Sequence, residues 1–514
     1  MPSDSAEKHV VALAMQAWGH TRPLVQLSAR LVKMRPLHVT FFTTNAFFDK
    51  VLAELARNFE PGEEAYATRV RVLSLGESVA LSTDVINEGF KRACVKLVAG
   101  QEVQCAKTGK VHAALPPPQA AIIDFFAVDP IAAIREASKD AVKVYAWYSA
   151  MTTSAFTHIV ADEYGGPGNI RLKAEAVAKQ TGMSFSEAVI DILAVPKGRV
   201  LNLPGLPPLS DYEMAPQDFP LPIDLMAQLF PRMYETIETC DGVFFISPAS
   251  YEPEALEICK EWLSKTGRAG YVCGPLLPPH GSAADSNEKK QSQQGAEIME
   301  FLEATLKASG EKSLLYISFG SFFWPAKSPE KLWAFLDVVM ELNIPFILST
   351  ASPLAGPLPD EVSNKVKSYG KGFVSPWTPQ QSILEHPTTG WFVTHGGHNS
   401  VVESISAGVP MIAWPFNADQ PLNALRISEV LKIGYELVEV RTGHGTHPLH
   451  RNGRTPVGTV EAVRAEARDV LAKAFGEDGA RKRETVRVLA RAFEREWEEG
   501  GASWKDVNAF LDAI

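Results

Sequence analysis

One short loop combines histidine, glycine, asparagine and serine in an order that suits anion binding. Residues 391–404 read WFVTHGGHNSVVES, in which an apolar run ends at His395 and a helical pattern resumes after Ser400. The two intervening glycines allow the backbone to turn and to approach a ligand closely. Backbone N–H groups at a helix start, together with the helix dipole, attract anions. Because His395, Asn399 and Ser400 add side-chain donors, the loop suits a phosphate or diphosphate.

The same loop has a simpler interpretation, in which Asn399 or Ser400 caps the helix and nothing is bound. The neighbouring His398 is interpreted as a partly buried, hydrogen-bonded side chain, in preference to a catalytic role. The loop by itself does not distinguish a bound anion from a simple helix cap, so the residues on either side of it are needed as evidence.

The flanking residues supply the other groups that a nucleotide-sugar needs. Trp377 offers a flat face for a base ring, and Gln380 offers an amide. Glu403 can accept hydrogen bonds from the two hydroxyls of a ribose, and the Asp419–Gln420 pair suits vicinal hydroxyls of a sugar. Base, ribose, diphosphate and sugar contacts thus occur within one segment, which favours a bound ligand over a simple cap.

These residues must be positioned by secondary structure, and the chain predicts a repeating pattern of strands and helices. HVVALAMQA, LHVTFFTT, TRVRVLSL, QAAIIDFFA and VKVYAWYSA predict buried strands with amphipathic helices between several of them. The alternation restarts near residue 298 with SLLYISFGS, PFILST, GWFVTHGG and PMIAWP as strands. Alternating elements predict an α/β fold with two Rossmann-like parallel sheets, whose ligands bind beyond the carboxyl ends of strands.

The composition shift near residue 280 predicts a domain boundary. Residues 280–297 are rich in Ser, Gln, Asn and Lys, which is the composition of a linker. We therefore predict an N-terminal domain at 1–279 and a C-terminal domain at 298–485, followed by a helical, charged tail.

Composition excludes several functional classes. The 514 residues carry a formal charge of −10, which argues against a general nucleic-acid or membrane-surface role. Five cysteines, an odd number without C-x-x-C spacing, indicate reduced thiols and a cytoplasmic location. No window reaches the roughly 18 apolar residues of a membrane span. The apolar stretch 10–18 lacks a basic n-region, so it predicts a first buried strand rather than a signal peptide.

The stretch 377–420 resembles the signature motif of the UDP-glycosyltransferases of small molecules, a family best known from plants. That motif begins with Trp, ends with Asp/Glu-Gln and has this length. The sequence departs from the plant pattern at Gly396 and His398, where plant members usually have Cys and Trp. HGGHNS resembles fungal, bacterial and animal-like members. The resemblance implies the GT-B fold, with two Rossmann-like domains facing across a cleft and residues 486–514 crossing back to the N-terminal domain.

The resemblance also implies a role for each donor-site position. Trp377 is expected to stack on uracil, Gln380 and Glu403 to contact the ribose, His395, Asn399 and Ser400 to hold the diphosphate, Ser321 to face the phosphates, Asp419 and Gln420 to hold the sugar, and Ser149 to reach its 6-hydroxyl. Gln420 is associated with glucose in such enzymes.

The base implied by the resemblance is His20, in AWGHTRPL after the first predicted strand. An acceptor hydroxyl must lose its proton as it attacks, and imidazole titrates near working pH. Asp124, at the end of AAIID, is the expected partner that fixes the tautomer. Two alternatives remain open. His20 could only cap its helix, and Asp129 could replace Asp124, although Asp129 before Pro130 is more typical of a helix cap.

The function implied is inverting transfer of a sugar, with glucose expected, from a UDP-sugar to a hydroxyl of a hydrophobic small molecule such as a phenol or terpenoid. No metal or other cofactor is expected. The segment that contains His444, His447 and His450 is interpreted as a surface loop in preference to a metal site. The aromatic and apolar residues that could line an acceptor pocket, or equally form core, are Trp18, Phe125, Phe126, Met151 and residues 180–230. Alternatives are an epimerase-like GT-B enzyme and a UDP-sugar-binding protein without turnover.

Overall fold

The computed structural model describes residues 7–78, 83–219, 223–279 and 294–514. These residues form two units, each built around one parallel sheet. The first unit contains the described residues within Met1–Leu193, Ile223–Asn287 and Glu496–Ile514. The second contains those within Ala194–Pro222 and Glu288–Arg495.

The strands alternate with helices along most of the chain, as the sequence predicts. The strands are β1 Lys8–Leu13, β2 Leu37–Thr43, β3 Val70–Ser74, β4 Val103–Gln104, β5 Val111–His112, β6 Ala120–Asp124, β7 Lys143–Tyr148, β8 Val200–Leu201, β9 Leu209–Ser210, β10 Gly242–Phe245, β11 Ala269–Val272, β12 Leu314–Ser318, β13 Phe346–Ser349, β14 Gly372–Ser375, β15 Thr389–Thr394, β16 Met411–Ala413 and β17 Gly434–Glu436.

The helices cover the sheets and connect successive parallel strands. They are α1 Trp18–Met34, α2 Asn45–Ala56, α3 Glu64–Ala67, α4 Asp84–Val98, α5 Val128–Ser138, α6 Ile170–Thr181, α7 Phe185–Leu193, α8 Ile223–Thr239, α9 Pro253–Lys265, α10 Gly295–Ser309, α11 Pro329–Glu341, α12 Asp360–Tyr369, α13 Gln380–Glu385, α14 His398–Ser406, α15 Gln420–Leu425, α16 Val460–Ala474, α17 Glu477–Arg495 and α18 Ala502–Ala513.

The first unit is organised by a seven-stranded sheet in the order β11-β10-β7-β6-β1-β2-β3. All of its neighbouring strands are parallel. β1 and β6 consist almost entirely of buried residues, which explains their continuous apolar sequence. The strand order reverses between β1 and β6. Ligands bind parallel sheets at such a switch point, beyond the carboxyl ends of the strands.

The second unit repeats this plan with a six-stranded parallel sheet in the order β14-β13-β12-β15-β16-β17. Its switch point lies between β12 and β15, so the loops after these strands occupy the corresponding position. The predicted α/β class with two Rossmann-like parallel sheets is confirmed.

The observed division differs from the predicted boundaries in the middle of the chain. We expected residues 1–279 to form one domain, but Ala194–Pro222 belongs to the second unit. Side-chain contacts explain the assignment, because the Gln217 amide donates to the Val440 carbonyl at 3.0 Å and Arg426 donates to the Gly205 carbonyl at 3.0 Å. Such long-range contacts leave no periodic signal in the sequence.

The linker and the tail also differ in detail from the prediction. Most of the predicted linker, residues 280–293, lies outside the described residues. Its last positions are helical, since α10 begins at Gly295. The second unit extends to Arg495, so the tail joins the first unit from Glu496 rather than from residue 486. Across the described ranges, no helix combines the length and apolar character needed to cross a membrane.

Candidate functional site

His20 and Asp124 come together at the switch point of the first unit. His20 lies in the first turn of α1, just after β1, and Asp124 is the last residue of β6. His20 Nδ1 lies 2.8 Å from Asp124 Oδ2. The Asp124 side chain is fully buried, whereas that of His20 is 20% exposed. The structure therefore joins a shielded carboxylate to an accessible imidazole.

The hydrogen bonds around Asp124 fix the orientation of the pair. Asp124 Oδ2 also accepts from the Met15 N–H at 3.2 Å, and Oδ1 accepts from the Phe126 N–H at 3.1 Å. A carboxylate only accepts, so it selects the His20 tautomer that carries its proton on Nδ1. Nε2 is then left with a lone pair, as a general base requires.

Asp129 does not take the place of Asp124. It belongs to α5, whose N-cap is Ala127, so the expectation that Asp129 caps the helix is wrong. Its carboxylate instead pairs with Arg232 and accepts from the Asn87 side chain at 2.9 Å. The Asp129 carboxylate is therefore used in an ion pair with Arg232 and not in capping the helix.

Aromatic rings surround the imidazole of His20. The Phe125 ring is parallel to it at 6.1 Å between centroids, and the Phe126 ring lies at 5.7 Å. Phe125 and Met151 are buried core residues, whereas Phe126 is half-buried. Of these three residues, Phe126 is thus the best placed to meet a ligand beside His20.

Ser149 follows β7, which pairs with β6. It is 7% exposed, and its hydroxyl has no hydrogen-bond partner among the residues that the structure describes. The next segment is a 3-10 helix, Thr152–Thr157, whose first amides donate to the buried Glu252 carboxylate. A buried hydroxyl that lacks a partner, beside a segment held by hydrogen bonds, can form a hydrogen bond with a hydroxyl of a ligand.

In the second unit, two glycines enclose the ring of His395. A Cβ on Gly320 would lie 2.8 Å from His395 Cε1, and one on Gly397 would lie 2.5 Å from Nε2. Phe323 stacks on the same ring at 5.7 Å between centroids. His395 Nδ1 is buried without a hydrogen-bond partner within the described part of the chain. The ring is therefore held in a narrow slot, and one of its two nitrogens has no partner among the described residues.

Burial sets the protonation state of His395. Desolvation lowers its pKa to about 4, so the ring is neutral at neutral pH. The neutral ring can contribute the hydrogen-bond donor expected of His395, but it carries no positive charge. A neutral ring also avoids an uncompensated buried charge when no anion is bound.

The helix after this loop begins two or three residues earlier than the alternative interpretation requires. α14 starts at His398 with Gly397 as N-cap, and no side chain caps it. Asn399 and Ser400 lie inside the first turn, so the suggestion that one of them is the N-cap is wrong. His398 itself is buried. The start of α14 thus keeps the uncapped geometry that favours an anion.

A network of polar side chains joins α13 to α14. The Gln380 amide donates to Ser400 Oγ at 3.2 Å and to the Glu403 carboxylate, while the Tyr316 hydroxyl lies 3.3 Å from Gln380 Oε1. Trp377 is half-buried in the loop before α13. The structure therefore brings the side chains of Gln380, Ser400 and Glu403 together.

Asp419 and Gln420 stand at the start of α15. Asp419 is its N-cap and is half-buried. Gln420 is only 1% exposed, and its Oε1 accepts from the Phe416 N–H at 2.9 Å and the Asn417 N–H at 3.3 Å. A Cβ on Gly396 would lie 3.3 Å from the Gln420 carbonyl oxygen, so the two loops are adjacent. The side-chain oxygen of Gln420 thus holds the backbone of the loop that precedes α15.

Ser321 and the three histidines complete the predicted positions. Ser321 is exposed after β12, next to Gly320. His444 and His447 stack ring on ring at 5.8 Å between centroids. No group of three or more His, Cys, Asp or Glu side chains in the described ranges is arranged to hold a metal ion. All five cysteines are buried free thiols.

Sequence reasoning missed three supporting residues: Phe323, Tyr316 and Glu252. Each acts by touching another side or main chain rather than by a recognisable motif. Tyr316 is hidden within the apolar strand β12, and Phe323 in the FFW run after it. The only available signal was the polar hydroxyl of a tyrosine in a buried strand, which needs a partner.

Comparison with known proteins identifies a matching family. Residues 220–440 match the family described as UDP-glucoronosyl and UDP-glucosyl transferase. The UDP-glycosyltransferase eriJ of the fungus Hericium erinaceus is 30% identical over 522 residues, covering 98% of each chain. The flavonol 3-O-glucosyltransferase of Arabidopsis thaliana is 25% identical and covers 85% of this chain and 86% of its own.

A solved structure shows the same fold. The Phytolacca americana UGT2 complexed with UDP-2fluoro-glucose and pterostilbene superposes with a TM-score of 0.65, at 19% identity, covering 99% of this chain and 100% of its own. The GT-B fold class predicted from the sequence is thereby confirmed. Together with the full-length similarity to the Hericium erinaceus protein, these findings establish that the chain belongs to the UDP-glycosyltransferase family.

Proposed function

We propose that this protein transfers glucose from UDP-glucose to a hydroxyl of a hydrophobic small molecule, with inversion at the anomeric carbon. The acceptor oxygen attacks that carbon from the face opposite UDP, and the bond to the diphosphate oxygen breaks. The acceptor proton passes to His20 Nε2, and UDP leaves. A single displacement converts an α-linked donor into a β-glycoside.

The observation that carries the proposal is the 2.8 Å contact between His20 and the buried Asp124. Asp124 holds the base tautomer and stabilises the imidazolium that forms. General base catalysis of this kind contributes on the order of 10²–10⁴-fold in rate. The neighbouring ring of Phe126 provides apolar surface for the acceptor next to the base.

On the donor side, we propose the residues that the motif implies. Trp377 stacks on the uracil, and Gln380 with Glu403 binds the ribose. The neutral His395, Asn399, Ser400 and the start of α14 hold the diphosphate, with Ser321 beside it. Backbone N–H groups and the helix dipole stabilise the charge that grows on the leaving group, so the proposed reaction uses no metal ion.

The proposed sugar and acceptor class rest on other residues and on the relatives. Asp419 and Gln420 would hold the sugar hydroxyls, and the unpartnered Ser149 hydroxyl would meet the 6-hydroxyl of glucose. The Arabidopsis thaliana relative is named a flavonol glucosyltransferase, and pterostilbene occupies the Phytolacca americana structure. These names suggest phenolic acceptors as the first to try, in a cytoplasmic setting that suits five buried free thiols.

The test is an acceptor screen read by mass spectrometry. Wild-type protein is incubated with UDP-glucose and a pool of phenols, flavonoids and terpenoid alcohols, with and without EDTA. We expect hexose-shifted products with a β linkage by NMR, unchanged by EDTA. His20→Ala should lose at least about 100-fold of the rate.

His38→Ala is the matched control, because its side chain is 21% exposed, close to the 20% of His20 in the same unit. It should retain the wild-type rate. Full activity in His20→Ala would refute the base assignment. UDP release without an acceptor would favour an epimerase-like enzyme, and UDP binding without any release would favour a binding protein.

A further inference from the structure

The segment at 194–219, here called the strap, lies in the second unit although it follows α7 of the first unit in the chain. It contains the short strands β8 and β9, which pair with each other. Its Pro-rich sequence, LPGLPPLS, offers little regular structure of its own. Other parts of the second unit must therefore hold it in place.

Residues 440–458, here called the clasp, supply backbone partners for the strap. The Asp218 N–H donates to Thr442 Oγ1 at 2.6 Å, and the Thr442 N–H donates to the Pro216 carbonyl at 2.9 Å. The approach is close, since a Cβ on Gly445 would lie 2.4 Å from the Pro216 oxygen. Glycine at position 445 is therefore required by the strap itself.

The histidine-rich part of the clasp takes part in the same contact. The buried Glu213 of the strap accepts from the His450 N–H at 2.8 Å. The Tyr212 hydroxyl donates to the Pro448 carbonyl at 2.5 Å, and its ring lies 5.0 Å from that of His447. These contacts give the histidine-rich segment a role in fastening the strap.

At its end, the strap reaches an aromatic cluster beside the donor residues. The Phe219 ring lies 4.8 Å from that of Phe323 and 6.0 Å from that of Phe416. Phe323 stacks on His395 at 5.7 Å, and the Phe416 N–H is held by Gln420 Oε1. Phe219 thus contacts the supports of both the diphosphate-binding histidine and the sugar-binding glutamine.

We infer that Phe219 is a positioning residue for the UDP-sugar, and that the clasp keeps it in place. This inference rests on the proposed function, because it needs His395 and Gln420 to bind the donor. Phe323 and Phe416 also contact each other, at 5.8 Å between centroids, so Phe219 completes a cluster of three rings. Removing the Phe219 ring leaves a cavity against both of the other rings, so the His395 ring and the Gln420 loop are held less firmly. Donor binding should weaken, while acceptor binding is unchanged.

The first experiment measures UDP and UDP-glucose binding by calorimetry, together with steady-state kinetics, for wild type and Phe219→Ala. Aromatic pair energies convert to an expected loss of about three- to tenfold in affinity for both ligands. The KM for UDP-glucose should rise equally, with the KM for the acceptor unchanged. Phe219→Tyr, which keeps the ring, should restore wild-type values. Phe475→Ala, at a 38% exposed phenylalanine of the same unit, should change neither quantity.

A second variant tests the clasp without touching the aromatic cluster. Gly445→Ala forces the clasp away from Pro216 and should reproduce the loss of donor affinity. Gly453→Ala is the control, since position 453 has a φ of +69° and therefore suffers backbone strain, but a Cβ there meets nothing within 4 Å. It should bind UDP normally. This pair also decides the question if Phe219→Ala does not fold.

The outcomes separate the two proposals. Wild-type protein that fails to bind UDP overturns the proposed function and, with it, this inference. Wild-type binding with unchanged donor affinity in Phe219→Ala, even at a lower melting temperature, overturns only the inference. A rise in the acceptor KM equal to that of the donor would also overturn it, because the defect would then be general.

Discussion

At the scale of single residues, burial gives two histidines opposite properties. His20 keeps 20% of its side chain exposed, and its Nδ1 lies 2.8 Å from the Asp124 carboxylate. His395 is buried between glycines beside Phe323, and desolvation lowers its pKa to about 4. The first is therefore suited to accept a proton and the second to remain a neutral donor. Position relative to a strand does not distinguish the two, since each histidine follows a strand.

Replacing Asp124 with Asn should inactivate the enzyme without enlarging the site. An amide at this position can donate to His20 Nδ1 and so select the tautomer with its proton on Nε2, which cannot act as a base. We expect kcat to fall on the order of 10²–10⁴-fold, with the KM for UDP-glucose little changed. Steady-state kinetics against a phenolic acceptor will measure both.

Asp129→Asn serves as the control for that variant. Asp129 lies five positions further along the chain and pairs with Arg232 instead of His20. Its loss should leave kcat near the wild-type value. Equal losses in both variants would mean that charge in this region, and not the orientation of His20, limits the rate.

At the scale of elements, the loops after β12 and β15 form one slot around His395. Gly320 has a φ of +75° and Gly396 a φ of +85°, conformations that favour glycine. Each loop also approaches a neighbour closely, Gly320 at the His395 ring and Gly396 at the Gln420 carbonyl. Glycine is therefore needed in these loops for two reasons, the left-handed backbone conformation and the lack of a side chain beside the His395 ring and the Gln420 carbonyl.

Gly320→Ala should separate these two requirements when compared with Gly370→Ala. Position 370 has a φ of +70°, but a Cβ there meets nothing within 4 Å. Both variants should lose about 1–2 kcal/mol of stability from the left-handed conformation. Only Gly320→Ala pushes on His395, so only it should weaken UDP binding. Thermal melts and calorimetry will report the two effects, and equal UDP affinities would contradict the slot.

At the scale of the whole molecule, buried ionisable groups are distributed unequally between the two units. Burial lowers the pKa of His9 and His158 in the first unit to about 4, as it does for His395 in the second. In the second unit, however, burial raises the pKa of Glu466 to about 7. These shifts have opposite consequences for stability below neutral pH.

Acidification from pH 7.5 to 5.5 should therefore destabilise the first unit more than the second. A depressed histidine pKa means that the unfolded chain binds the proton first, so stability falls as pH drops below about 6.5. Each such histidine costs roughly 1 kcal/mol at pH 5.5. The raised pKa of Glu466 acts the other way, since the folded state takes up that proton first, and it offsets His395.

Hydrogen exchange with mass spectrometry at the two pH values will test this difference. Peptides from β1 and β7 should lose protection at pH 5.5, while those from β12 and β15 change less. His9→Gln should reduce the pH dependence of the first unit. Equal losses of protection in both units would show that the buried histidines do not control acid stability.

Sequence patterns predicted the two sheets and most of their strands because each central strand is a continuous apolar run. β1, β6, β12 and β15 are buried along nearly their whole length, so their composition alone marks them. The donor motif was equally visible, since its residues occupy fixed positions in one segment. The strap was predicted to belong to the N-terminal domain, whereas it belongs to the second unit. Its partners lie far away in the sequence, as Val440 lies 223 residues from Gln217.

The sequence by itself determined the fold class, the family and the identity of the chemical groups, because apolar periodicity and motif spacing are local properties of the chain. Only the tertiary structure decided how those groups are arranged. It placed Asp124 rather than Asp129 against His20, made His395 neutral and assigned the strap to the second unit. Hydrogen-bond partners and burial depend on residues distant in sequence, so they follow from packing and not from the order of residues.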